Sequence, residues 1–326
     1  MLAGGVQVIR HGMTAVHVQG LEMVLPDGRV VSSISGLHKD NRGPDPLRIA
    51  IGGEGAFGIV TAACLRLMPS HRHAANAYVG CESFDAALAL FRLVRDQAYE
   101  CLTGFEVMSA DCLPLALLVD PDLRPPLQAP VQVLIRLSTV ARLPLDDMLQ
   151  AVLAEATEGG LLQDAVIAQS DRQAARFWKL REAIVEGHSR RGYHVRSDVS
   201  VRLGDVPRLV AALEAMLETS FPHWIAQAYG HMGDGNIHFN ALPPVGMDTT
   251  LARATGARIE ARIFDIALSF GGSFSAEHGI GRSKAEWFSR TTAPERLDLL
   301  RRIKFAFDPD WRMNPGCLLT KPSDLS

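Results

Sequence analysis

The stretch 228–240, AYGHMGDGNIHFN, sets two histidines, His231 and His238, on either side of a run that holds two glycines and an aspartate. A helix brings positions seven apart onto one face, but Gly233 and Gly235 would each cost such a helix about 1 kcal/mol relative to alanine. Asp234-Gly235 between residues of alternating polarity signals a hairpin instead. A two-residue turn there pairs Gly233 with Asn236, Met232 with Ile237, and His231 with His238. The two imidazoles then oppose each other across an antiparallel pair with Cβ atoms about 4.5 to 5.5 Å apart, near enough to share one metal ion. Asn240 joins that face, while Ile237 and Phe239 point to the other.

Working outward, VQGLEMVLPDGRVV (18–31) reads as strand, turn, strand, and GIVTAACLRLMP (58–69) as a further strand ended by proline. After Pro69 strands alternate with amphipathic helices: AYVGC, then SFDAALALFRLVRDQ with Ser83 as N-cap, VQVLIRLS, then LDDMLQAVLAEA. VDPDLRPPLQAP (119–130) reads as a surface excursion. DRQAARFWKLREAIVEGHSRRG forms another helix before the strand-like YHVRSDVSVRL, and the helix around LARATGARIEARIFDIALSF stops at Gly271-Gly272. These patterns predict an α+β fold with helices packed on an antiparallel sheet.

The chain has 326 residues, 47% of them apolar, and a net charge of −3 without long runs of either sign. That is length and apolar content for two lobes, and it speaks against nucleic acid as a partner. The five cysteines are odd in number and lack C-x-x-C spacing, which argues against a disulfide framework or a thiolate metal site and points to a reducing, cytoplasmic setting. No stretch reads as a transmembrane segment; attachment to the periphery of a membrane stays open.

GGSFSAEHGIGRSK (271–284) supplies a third element, with Glu277 and His278 in a Gly-rich loop before a helix. Two histidines and one carboxylate make a three-ligand site with an open position, the arrangement of catalytic zinc. His231, His238 and Glu277 are the expected ligands, and His278 the expected general base.

The motifs GGEGAFGIVTAACLRL, FWKLREAI, SDVSV, GHMGDGNIHFN, GGSFSAEHGIGRSK and RMNPG stand here in the order found in FAD-linked oxidases of the vanillyl-alcohol oxidase fold. The chain resembles their D-2-hydroxyacid dehydrogenase branch, which includes D-2-hydroxyglutarate and D-lactate dehydrogenases. The resemblance implies FAD-dependent oxidation of a D-2-hydroxyacid to the 2-oxoacid, with a divalent metal, usually zinc, gripping the substrate. It implies that His278 takes the proton, that Arg181 clamps a carboxylate, and that Asn240 and Arg196 contact substrate. It places Glu54, Gly55, Gly58, Ile59 and Asn314 at the flavin, and sends electrons to a quinone or an electron-transfer flavoprotein. Two positions depart from the D-2-hydroxyglutarate enzymes, Val185 for a threonine and Arg196 for a lysine, so a diacid, D-lactate or D-malate all stay open as substrates.

The opening MLAGGVQVIRHG matches the middle of the family's flavin domain, and the subdomain that binds the FAD pyrophosphate has no counterpart in the sequence. The expected domains are a partial flavin lobe over 1–68, a substrate cap over 69–300, and a segment 301–326 returning to the flavin lobe, with a separately encoded FAD-binding part as a candidate partner. Two rival readings stay open: a remnant that binds metal without retaining FAD, and a zinc-dependent hydrolase. The isolated chain is expected to hold FAD weakly or not at all. Stoichiometric flavin absorbance in the purified chain would overturn that expectation.

Overall fold

The computed structural model describes residues 4–37 and 39–321. They group into two compact units: Gly12–Met68 with the chain from Glu277 onward, and Gly5–His11 with Pro69–Ala276. The chain thus enters the smaller unit again at Glu277, where the sequence suggests residue 301. Gly5–His11, expected in the flavin lobe, groups with the larger unit because its short helix packs on that unit's sheet and Val6 joins its core.

The smaller unit holds strands β1 (Val18–Val24), β2 (Val30–Ser32) and β3 (Ile59–Leu65), antiparallel in the order β2-β1-β3. Val18, Leu21, Met23 and Leu47 form one small core. Phe57, Leu297, Leu318 and Leu319 form another, beside the helices Ala285–Thr291 and Pro294–Phe307. A buried ion pair ties these parts together. Lys304 Nζ donates to Ala56 O (2.6 Å), to Met313 O (3.0 Å) and to Asp308 Oδ2 (2.5 Å). Asp308 also accepts the N–H groups of Arg312 and Met313 at 3.0 and 2.7 Å. Burial pushes the Asp308 carboxyl up, but Lys304 and the two backbone donors outweigh it and hold the group below its usual range.

In the larger unit α1 (Val8–His11) precedes a seven-stranded antiparallel sheet in the order β7-β4-β6-β5-β9-β10-β8. In chain order its elements are β4 (His73–Cys81), α2 (Phe84–Ala98), β5 (Leu102–Ser109), α3 (Leu113–Val119), β6 (Val131–Thr139), α4 (Leu145–Glu158), β7 (Asp164–Ile167), α5 (Asp171–Arg191), β8 (Val199–Ser200), α6 (Val206–Ser220), β9 (Ile225–His231), β10 (Asn236–Leu242) and α7 (Thr249–Ser269). The Ser83 hydroxyl accepts the Ala86 N–H, the expected cap of α2. Ser170 caps α5 in the same way, and Asp248 caps α7. The central strands β5 and β6 are buried on both faces, which explains their nearly continuous apolar runs.

The two faces of the sheet differ in chemistry. Ala77, Val79, Phe105, Val107, Val133, Ile135, Ile237 and Phe239 lie on one, where the Phe91 ring of α2 meets Phe105 edge to face at 5.1 Å. Tyr78, Met108, Leu134 and Tyr229 lie on the other and share a core with Phe177, Trp178, Leu180 and Ile184 of α5. Residues 119–130 run irregularly between α3 and β6 but are no mere surface excursion, since Leu123, Leu127 and Ala129 are buried in that core. YHVRSDVSVRL is less regular than expected: it gives only a bridge at Val195 and the two residues of β8. All five cysteines are free thiols. No helix among the described residues is long and apolar enough to cross a membrane.

Lys304→Met should destabilise the protein by about 3 to 5 kcal/mol, because it strands a buried carboxylate; urea unfolding at neutral pH measures it. The sign of the acid response follows. Because the folded Asp308 pKa lies below the unfolded value, its contribution is complete above that value of about 3.9 and fades as pH falls through the folded one. Wild type should lose this increment on acidification, and Lys304→Met should not.

Candidate active site

Strands β5, β9 and β10 build a polar stripe on the face that α5 covers. Backbone register places Glu106 opposite His231, and His231 opposite Asn236. The hairpin register therefore differs from the expected one. The connection is a 3-10 turn, Met232–Asp234, closed by Gly235 in the left-handed region at φ 78°, where a side chain would also strike the Val201 carbonyl oxygen. His238 pairs with Tyr229, not with His231. The shift amounts to two residues along one strand, and a two-residue shift preserves the face. His231 and His238 remain diagonal neighbours with ring centroids 5.6 Å apart, and Asn240 stays on their side.

Each histidine has a carboxylate behind it. Glu106, fully buried, accepts His231 Nδ1–H at Oε1 (2.5 Å) and Arg181 Nε–H at Oε2 (3.0 Å). Burial alone would raise the Glu106 carboxyl; the Arg181 guanidinium and the His231 hydrogen bond overcome that and hold it below the usual range. An anionic Glu106 fixes the His231 proton on Nδ1, the tautomer typical of histidines that bind metal through Nε2. Behind His238 stands Asp198, 3.7 Å from its Nδ1 and itself held by Asn236 Nδ2 (2.9 Å). Asp198 Oδ2 also accepts the N–H of Ala276, at 3.1 Å. The donor set therefore fits a divalent metal.

Arg181 is not the solvent-facing helix residue that its position allows. Phe177, Leu180, Arg181, Ile184, Gly187 and His188 share the buried face of α5 at helical spacing. The Arg181 guanidinium lies 4.5 Å over the Tyr229 ring, and Glu106 is its single hydrogen-bond partner among the described residues. Asn240 is 1% exposed and bonded to His188, Tyr229 and Ser197. Burial pushes the His188 pKa down to about 4. Arg196 is exposed.

Glu277 and His278 belong to the smaller unit, and Glu277 follows Ala276 directly in the chain. Their side chains come within 3.9 Å of each other. In the same unit Glu54, at φ 48°, accepts the N–H groups of Ile280 and Gly281 through its carboxylate, both at 2.7 Å. A Cβ on Gly279 would lie 2.6 Å from that carboxylate, so the loop needs glycine there. Asn314 donates to Glu54 O at 2.5 Å, and Gly55 lies beside Asn314. Gly58 packs against Met23 and Val24 O, and Ile59 is 58% exposed on β3. None of these five lines the cavity of about 690 Å³ that this unit contains. Ser32, Ser33, Ser35, Asn41, Arg42 and Arg48 supply most of its donors.

Sequence reasoning missed Glu106, Asp198, Tyr229 and His188. For Glu106 the signal was a lone acid in the apolar run LTGFEVMS, and for Asp198 an acid inside strand-like SDVSV.

Comparison with known proteins follows the same lines. The model of the C-terminal domain of FAD linked oxidases matches residues 70–318. The chain is 35% identical over 317 residues to mitochondrial D-2-hydroxyglutarate dehydrogenase of Bos taurus, covering 97% of this chain and 57% of that protein. It is 31% identical to D-2-hydroxyglutarate dehydrogenase of Stutzerimonas stutzeri (strain A1501), covering 96% and 67%. The chain thus spans little more than half the length of the bovine relative. Among solved structures, substrate-bound p-cresol methylhydroxylase superposes with a TM-score of 0.72 at 13% identity, over 99% of this chain and 68% of that one. Alkyldihydroxyacetonephosphate synthase gives 0.62 at 13%, over 97% and 56%. At such identity these two likenesses speak for fold alone.

Glu106→Gln should cost about 3 to 5 kcal/mol in denaturant unfolding, since Arg181 would lose its buried counter-charge. A loss within 0.5 kcal/mol would mean that the pair carries no net weight.

Proposed function

The chain belongs to the FAD-linked oxidases, whose C-terminal domain it carries, and on that premise we propose that it serves the oxidation of a D-2-hydroxyacid to the 2-oxoacid. The observation that carries this reading is the buried row Arg181, Glu106, His231 on one face of the sheet, with His238 and Asn240 beside it. D-2-Hydroxyglutarate leads the candidate substrates because the relatives named above are D-2-hydroxyglutarate dehydrogenases; D-lactate is the shorter alternative.

In this reading His231, His238 and Glu277 hold the metal, which when bound lowers the cost of developing negative charge on the substrate hydroxyl oxygen. FAD, when bound, would supply the acceptor for the hydride that leaves C2. The donors of the smaller unit's cavity would hold part of it, with Glu54, Gly55, Gly58, Ile59 and Asn314 shaping the adjoining loops. The remaining work falls to the chain's own side chains. Arg181 pairs with the substrate carboxylate through its outer nitrogens, while its Nε edge stays on Glu106. His278 accepts the hydroxyl proton, a task suited to an imidazole at neutral pH. Asn240 orients the C2 substituents, and Arg196 draws anions toward the site. A quinone or an electron-transfer flavoprotein would be the electron acceptor in this reading.

A zinc hydrolase would use the same two histidines and carboxylate, but membership of a flavin-linked family argues against it. The deciding experiment is anaerobic mixing of the chain, after incubation with FAD and zinc, with D-2-hydroxyglutarate or D-lactate. Loss of the oxidised flavin absorbance supports the proposal, and an unchanged spectrum in wild-type protein that co-elutes with FAD on gel filtration sinks it. His278→Ala should slow bleaching by about 10²- to 10⁴-fold. His231→Ala should also lower zinc affinity, read independently by metal titration.

A further inference from the structure

The hydrogen bonds around Asn240 leave little freedom in its chemistry. Ser197 donates its backbone N–H to one end of the amide at 3.3 Å, and a backbone N–H can only donate. That end is therefore the oxygen, Oδ1. The other end, Nδ2, lies 3.2 Å from the Tyr229 hydroxyl and 3.2 Å from His188 Nε2. An amide nitrogen has two hydrogens and no lone pair to offer, so His188 Nε2 must accept. The His188 proton then sits on Nδ1, where the Ile184 carbonyl oxygen accepts it at 2.9 Å. Each assignment forces the next, and the four bonds agree on one tautomer. His188 occupies the buried face of α5 seven residues beyond Arg181, at 2% exposure, with the His194 ring 4.7 Å away.

We propose that His188 is a positioning residue: with Tyr229 it takes up both donor hydrogens of Asn240, so that the atom Asn240 offers to a ligand is the second lone pair of Oδ1. This deepens the reading of Asn240 as a substrate contact and rests on it. An acceptor at that place favours a ligand that donates there, the hydroxyl of a 2-hydroxyacid. It disfavours a carbonyl or carboxylate oxygen, which would bring lone pair against lone pair. The site is thereby biased toward the 2-hydroxyacid over its own 2-oxoacid product. Burial supports the assignment by holding His188 neutral, with its pKa down at about 4. Gln227 pulls the other way. It lies across the strand pair from Asn240, its Nε2 donates to Asp111 O at 2.8 Å, and its Oε1 is a buried acceptor without a hydrogen bond. A charged His188 would place its Nε2–H against Asn240 Nδ2, donor against donor, and turn instead toward such an acceptor.

The test has two separate arms. In ligand-free protein at pH 7, ¹⁵N NMR of the histidine rings should show His188 with a protonated Nδ1 and a bare Nε2. A protonated Nε2, alone or in a charged ring, overturns the proposal whatever the protein catalyses. His188→Leu should speed solvent exchange of the Asn240 side-chain amide, and His188→Gln, whose Oε1 reproduces the acceptor, should restore protection. Equal protection in all three proteins likewise overturns it. In the second arm, calorimetry of the zinc-incubated, FAD-free chain compares D-2-hydroxyglutarate with 2-oxoglutarate. Wild type and His188→Gln should prefer the hydroxyacid by about tenfold, and His188→Leu should lose most of that preference. A preference unchanged in His188→Leu removes the positioning role. Wild-type protein that binds neither compound removes the substrate reading of Asn240, while the ligand-free arm still reports on the tautomer.

Discussion

One buried carboxylate organises the larger unit's chemistry. Glu106 stands in the middle of a strand that is buried on both faces, where an unpaired charge would be far too costly to keep. It stays ionised because a helix and a neighbouring strand each bring it a partner, Arg181 from α5 and His231 from β9. The consequence runs in both directions. Arg181 is drawn into the core with its Nε edge occupied and its plane laid on Tyr229, which leaves the outer nitrogens as its remaining donors. His231 is fixed in one tautomer, with its proton on Nδ1 toward Glu106. Two cationic or polar groups from different elements are thus held by opposite oxygens of the same side chain.

The antiparallel scaffold gives this clamp its precision. Alternation along β9 and β10 puts His231, Tyr229, His238 and Asn240 on one face and Phe239 and Ile237 on the apolar one, so the polar stripe is anchored by a packed layer behind it. Sites built on strands hold their geometry more tightly than sites on loops. Here the groups behind them, Asp198 at 3.7 Å from His238 and His188 in a hydrogen bond with Asn240, are also buried. The polar groups support one another at the core's dielectric, where a half-satisfied network would be worse than none.

Much of this was legible in the sequence. The α+β class, the cap at Ser83, and the face shared by His231, His238 and Asn240 all follow from local periodicity and turn chemistry. The hairpin register did not, because Asp-Gly signals a two-residue turn and the chain instead winds Met232–Asp234 into a 3-10 turn before Gly235. The face survived that error because side chains repeat every two residues along a strand and the slip was also two. Glu106 and His188 were illegible for a different reason. Their meaning lies in partners 75 and 52 residues away along the chain, and no local pattern encodes which acid meets which base. The same holds for the return of the chain to the smaller unit at Glu277, which depends on contacts rather than on composition.

Hydrogen-bonding capacity separates the polar clusters by role. Lys304 has three ammonium hydrogens and spends all of them, on Ala56 O, Met313 O and Asp308. Asp308 is met by that ammonium and two backbone N–H groups, and the Glu54 carboxylate by two backbone N–H groups and the Cys317 thiol. These clusters are closed and act as fasteners within their own unit. Arg181 commits one of five N–H donors, and Asn240 Oδ1 accepts a single hydrogen bond where it can take two. A buried group with capacity to spare is expensive to maintain unless something else fills it. In the larger unit that spare capacity collects on the one sheet face that also carries the paired histidines, which is the pattern expected of a site shaped for a ligand rather than for stability.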